Sequence, residues 1–253
     1  MAQAQLYLQL EDPDAKSTRG GYREGAGRKR TLPGKPRVKH RVRPAMRDRF
    51  AAHVTTRMRP DVARLRGWDI GRVVRRAFVY GCRFGAIVDG DRVLEFRICQ
   101  FSIQGNHVHM ICEATDNQAL ARGVQAWAVR VARGLNGFLK REGSVFADRY
   151  HLEVLSNPTQ TRNALCYVLQ NALHHRERLP PQCNGIDPFS SAWWFDGWDD
   201  HSWREGLFPP EDRSVAEPKT WLLRVGWKRS KCGLISIKEV PATRRPTAPR
   251  RTE

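Results

Sequence analysis

Gln104-Gly105-Asn106-His107-Val108-His109-Met110-Ile111-Cys112 is the stretch of this 253-residue chain from which the rest is read. Gly105-Asn106 is a hairpin signal, and the apolar run after it reads as a strand. Alternate side chains of a strand point to opposite faces, so His107 and His109 share one face and Val108 and Met110 the other. Two imidazoles side by side on a rigid strand supply two ligands of a metal site. His-x-His by itself is short and common, and its plain reading is a pair of histidines capping a sheet edge.

A second stretch, Tyr167-Val168-Leu169-Gln170-Asn171-Ala172-Leu173-His174, shifts that balance. Leu165, Val168, Leu169, Ala172 and Leu173 fall on the apolar stripe of an amphipathic helix. Tyr167, Gln170, Asn171 and His174 fall on the polar stripe, where a tyrosine is oddly placed if its task is packing. Asn171 is one turn after Tyr167 and on the same face, so its carbonyl oxygen is a candidate ligand for an ion held by His107 and His109. Gln170 is the next candidate. His174 and His175 read as surface histidines rather than DNA contacts.

Four blocks in this order resemble the HUH family of single-tyrosine transposases, and more narrowly the REP-associated tyrosine transposases. They are His53-Val54-Thr55-Thr56-Arg57, Gly105-Asn106-His107-Val108-His109, Val145-Phe146-Ala147-Asp148-Arg149-Tyr150-His151, and Ala164-Leu165-Cys166-Tyr167-Val168-Leu169-Gln170-Asn171-Ala172. The resemblance runs from about Ala45 to His175. It implies a catalytic domain over 49–178 that cleaves and rejoins single-stranded DNA beside a REP-like hairpin. Tyr167 would be the nucleophile, forming a 5′-phosphotyrosine and a free 3′-OH. It also implies that a polar residue four after the tyrosine completes the metal site, which here is Asn171.

The chemistry demands such a set. A free tyrosine, with a pKa near ~10, is a poor nucleophile at neutral pH unless helped. A cation must polarise the scissile phosphate and stabilise its charge. Imidazole with a carboxamide oxygen suits Mg²⁺ or Mn²⁺. No Gly-x-x-x-x-Gly-Lys phosphate loop is present, and a phosphotyrosine linkage conserves bond energy without one.

Composition agrees with a polyanion partner. Lys and Arg number 44 against 26 acidic residues, a net charge of +18. No apolar run approaches a spanning length, and the start lacks a signal peptide's charged and apolar regions, so a cytoplasmic protein on nucleoid DNA is expected, with no membrane partner. The six cysteines show no Cys-x-x-Cys spacing, which argues against a zinc ribbon and for small core residues in a reducing compartment.

Outward from the two stretches, Lys16 to Arg49 holds thirteen Lys or Arg and two acids. Residues 1–48 thus read as a flexible DNA-contacting tail, with Arg28, Lys29 and Arg30 beside glycines at its centre. Strands are expected at 51–58, 93–103 (with a bulge near Gln100), 107–112 and 145–155. Helices are expected along Ile70-Val73-Val74-Ala77-Phe78, after an Asp116 N-cap, and after Ser156-Asn157-Pro158. That order predicts an α+β fold: a ferredoxin-like split β-α-β antiparallel sheet with helices on one face. Arg149 and Tyr150 are candidates either for strand contact or for fold support. Residues 179–253 form a Trp-rich, then basic, extension. Its tryptophans at 193–203 read as packing rather than as a stacking platform. A non-catalytic RRM-type nucleic-acid-binding protein is the alternative, but its central strand would carry outward aromatics where His107 and His109 stand. Both monomer and homodimer are compatible with the sequence.

Overall fold

A computed structural model describes residues 43–88, 91–208, 210 and 212–241. The described residues belong to one compact unit. The expected DNA contacts Arg28, Lys29 and Arg30 lie outside them.

The elements are β1 (Ala51–Arg57), α1 (Trp68–Gly81), β2 (Arg83–Val88), β3 (Asp91–Ile103), β4 (His107–Ala114), α2 (Asn117–Leu139), β5 (His151–Leu155), α3 (Pro158–Leu169), α4 (Asn171–His174) and α5 (Trp221–Arg224). The sheet order is β2-β3-β4-β1-β5, antiparallel throughout. Without β2 this is the expected split β-α-β sheet. β2 is an addition: an edge strand in a hairpin with β3. The last strand is shorter than expected. Phe146 makes only a bridge to Met58, and Asp148 Oδ1 then accepts from the Arg149 amide at 2.7 Å, a local bond that competes with the ladder.

Local chemistry sets the boundaries. Asp116 Oδ1 accepts from the amides of Gln118 and Ala119 and caps α2. Asn157 Oδ1 accepts from the Gln160 amide, with Pro158 in the first turn of α3. The β3–β4 register shifts between Ile98 and Gln100. The bulge keeps Phe96 and Ile98 before it, and Phe101 and Ile103 after it, on one face.

That face packs against α1 and α2 around Phe78, Phe101 and Trp127, with the Phe78 and Phe101 rings stacked at 3.8 Å. The opposite face carries Ala51, Ile111 and Leu155, and α3 packs there. The C-terminal segment completes this second core with Phe195, Trp198, Trp203 and Trp227, so most of the tryptophan cluster packs as expected. Two polar anchors fix the segment. Arg162 of α3 donates to the carbonyls of Gly233 and Leu234 and to the Glu239 carboxylate. Glu113 of β4, buried, accepts from the amides of Lys219 and Thr220 at the start of α5. Residues 189–191 run along the part of β3 that β2 leaves free: Ile103 N donates to the Phe189 carbonyl at 2.8 Å and Ser191 N to the Phe101 carbonyl at 3.0 Å. Among the described residues no helix is long and apolar enough to cross a membrane.

Two glycines of α2 give opposite expectations. A Cβ at Gly123 would overlap the Phe96 ring, so Gly123→Ala destabilises by about 1–3 kcal/mol. Gly137 is exposed and meets nothing, so Gly137→Ala stabilises by up to about 1 kcal/mol. Urea denaturation midpoints of the two variants check the signs.

Candidate active site

The register of β1 against β4 builds one wall. Thr55 pairs with His109 and Arg57 with His107, all on the face that α3 covers. His53, two residues earlier, is on the same face. His109 Nδ1 is 3.0 Å from Thr55 Oγ1 and 3.1 Å from His53 Nε2. With Nδ1 engaged there, His109 Nε2 is buried and has no hydrogen-bond partner. His107 Nδ1 lies 2.8 Å from Asn106 Oδ1. Oδ1 is an acceptor, so Nδ1 carries the proton and Nε2 keeps its lone pair. Both histidines thus have one nitrogen held by an outer neighbour and the other available, which is how ligating imidazoles are oriented.

The tyrosine helix forms the other wall. The Tyr167 ring is 5.2 Å from His109 and 5.9 Å from His53, centroid to centroid. His174 is 5.5 Å from Tyr167, and His175 is 6.1 Å from His107. His174, expected as a surface histidine, is half-buried in this ring cluster and faces the Pro241 carbonyl through Nδ1; His175 is exposed. The helix is interrupted at Gln170, with φ −105° and ψ 19°, between α3 and α4. The stripe read as polar is therefore not a solvent face: Gln170 and Asn171 are both buried. Gln170 Nε2 donates to the Ser236 carbonyl at 2.9 Å, turning that amide toward the C-terminal segment. Neither Asn171 Oδ1 nor Nδ2 has a partner, an expensive state for a fully buried carboxamide.

These orphaned atoms are suited to a divalent ion. Among the described residues no three His, Cys, Asp or Glu converge on a metal position. Two imidazole nitrogens and the Asn171 carboxamide oxygen remain as a chemically suitable donor set. Arg149 is exposed immediately before β5, the strand beside β1; Tyr150 packs inward, with the Arg43 guanidinium 3.7 Å above its ring. Sequence reasoning had not assigned a role to His53 or Thr55. The period-2 parity of His53-Val54-Thr55 was the available signal. Two clefts among the described residues lie elsewhere, one at the start of α1 and one lined by Trp194.

Burial, then the charges of His175 and Arg57, lowers the His107 pKa to about 4. Burial, then His53, His107 and His175, lowers that of His109 to about 2. Both imidazoles are neutral at pH 7, the form that binds metal. Unfolded histidine titrates near ~6.5. Below that value the unfolded chain binds protons that the folded chain excludes, so stability falls as pH drops from 6.5 toward 4. The expected outcome is a melting temperature, measured in chelator, that declines across this window, with a shallower decline in the His107→Gln/His109→Gln double variant.

A scan of protein-family models finds no match to the chain, and a search of curated proteins finds none either. Among solved structures, that of a REP-associated tyrosine transposase bound to a REP hairpin aligns with 61% of this chain and 82% of its own, at 14% identity and a TM-score of 0.45.

Proposed function

We propose that the chain is a metal-dependent single-stranded DNA endonuclease and strand transferase that acts beside hairpin repeats with Tyr167 as its nucleophile. One observation carries the reading. Tyr167 sits against His109, and both His109 Nε2 and the amide of Asn171, four residues after Tyr167, are buried without a partner. Unpartnered buried polar atoms cost free energy unless something satisfies them. The ordered likeness of four sequence blocks to the REP-associated tyrosine transposases points to the same residues.

In the proposed reaction the Tyr167 hydroxyl oxygen attacks the scissile phosphorus in line. The bond from phosphorus to the 3′ oxygen breaks as the phosphotyrosine bond forms, and the net proton movement is from the tyrosine to the leaving 3′ oxygen. Reversal by another 3′-OH rejoins a strand. Mg²⁺ or Mn²⁺ held by His107, His109 and Asn171 would polarise the phosphate and offset its developing charge. Thr55 and His53 hold His109 in its ligating orientation. The cations Arg57 and Arg149 are exposed beside the site and suit backbone phosphates.

The test combines purified protein, Mg²⁺ or Mn²⁺, and end-labelled hairpin oligonucleotides from repeats flanking its own gene. A covalent protein–DNA band that survives denaturation, needs the metal and disappears in Tyr167→Phe is expected. Tight binding without an adduct on every oligonucleotide would instead establish a non-catalytic nucleic-acid-binding protein. A band that persists in Tyr167→Phe would move the nucleophile elsewhere.

The positioning of His109 has its own readout. Thr55→Val is expected to weaken Mn²⁺ binding roughly 10- to 100-fold, measured as free Mn²⁺ by electron paramagnetic resonance. An unchanged affinity would mean that His109 does not ligate through the orientation Thr55 sets.

A further inference from the structure

A cleft of about 260 Å³ opens between the first turns of α1 and the C-terminal segment. Trp68, Gly71, Arg72 and Arg75 line it from one stripe of α1, and Phe189 and Phe208 line it from the other side. Gly71 is required by the packing: a Cβ there would overlap the Phe189 ring, which the glycine lets lie directly on the helix. The Phe189 ring is 5.3 Å from that of Trp68. Among the described residues five large aromatics are exposed, and two of them, Trp68 at 58% and Phe208 at 91%, meet at this cleft.

The charges around the cleft are unequal. Behind Phe189, Arg66 and Asp187 neutralise each other through two hydrogen bonds. Arg72 pairs with Asp69 on its own helix. Arg75 is half-buried and makes no ion pair or hydrogen bond with the described residues; the carboxylate that acts on it, Asp187, also lines the cleft and is already shared with Arg66. Aromatic faces beside an arginine with no hydrogen-bonded carboxylate of its own match a ligand with a π-system and an anion on one frame. A free phosphate would leave the rings unused, and an apolar peptide would leave the arginine unpaired.

One rim of the cleft, Ser190, joins the sheet near the strand of His109, although α1 lies on the face opposite the His109 side chain. Ser190 bridges to Ser102, and Ser102 pairs with His109. Two strand spacings, roughly 10 Å, separate that edge from the backbone of His109.

We propose that this cleft holds one unpaired base of the DNA strand, stacked on the exposed rings of Trp68 and Phe208 above the buried Phe189, with an adjoining phosphate on Arg75. The proposal rests on the nucleic-acid reading above and adds to it a base-binding position supplied largely by the C-terminal segment.

The experiment is an abasic scan. Labelled hairpin oligonucleotides from the repeats flanking the gene, each lacking one base, are titrated by fluorescence anisotropy against wild type, Trp68→Ala and Phe208→Ala. In wild type one position is expected to cost about fivefold to a hundredfold in affinity when its base is removed. In each variant the intact oligonucleotide binds correspondingly more weakly, and removal of that base costs little more, since the same interaction is already lost. Arg75→Gln is expected to lower the salt dependence of binding by about one phosphate contact. Both aromatic side chains are exposed, and melting curves verify that the variants fold. A scan in which the variants lose as much as wild type at every position overturns the pocket. The adduct assay on wild type separates this from the catalytic reading. An adduct with such a flat scan removes the pocket alone, whereas a position-specific loss without adduct keeps the pocket and removes the catalysis. Failure to bind any of the DNA overturns both.

Discussion

The pairing register of β1 with β4 is the constraint on which the rest of this structure depends. It sets Thr55 opposite His109 and Arg57 opposite His107. A slip of β4 by one residue would send His107 and His109 to the other face and put Val108 and Met110 in their place. The register is strongly specified because Val54, Val108 and Met110 are fully buried against the α1 and α2 side. The apolar face thus fixes the polar one, and the geometry of the histidines is inherited from a core that never touches them.

The second core does the same for the tyrosine. α3 is not held by its own propensity alone, as a twelve-residue helix is marginal in isolation. It is held because Leu165, Val168 and Leu169 pack among Trp198, Trp227 and Ile235, and because Arg162 is fastened to the chain around Gly233 and Glu239. Breaking a largely buried arginine–carboxylate pair is costly, so the helix has little freedom to rotate about its axis. The position of the Tyr167 ring therefore depends on residues more than sixty positions later in sequence.

That dependence marks where the sequence was legible. His107 and His109 on one face, the caps at Asp116 and Asn157, the bulge near Gln100 and the Gly105-Asn106 hairpin are all local, and each follows from a period of two, a turn preference or a side chain that bonds two or three residues away. β2 was missed although Asp89-Gly90 is a two-residue hairpin signal, because Arg83–Val88 alternates poorly and carries Gly85. The burial of Gln170 and Asn171 was not legible. A polar stripe on a helix looks solvent-facing until the surface that covers it is known. The inward position of His174 escaped for the same reason: the Pro241 carbonyl, 67 residues later, meets it.

The path of residues 189–191 along β3 has a consequence for how this protein can be divided. A fragment ending near Arg178 would retain every strand and the tyrosine. It would also bare an unpaired strand edge, the apolar side of α3 and the buried Glu113 carboxylate, all at once. Such a piece would self-associate rather than fold cleanly. The smallest piece that folds with its surfaces covered is therefore larger than the sheet that carries the histidines, and a different tail would have to complement three separate surfaces together.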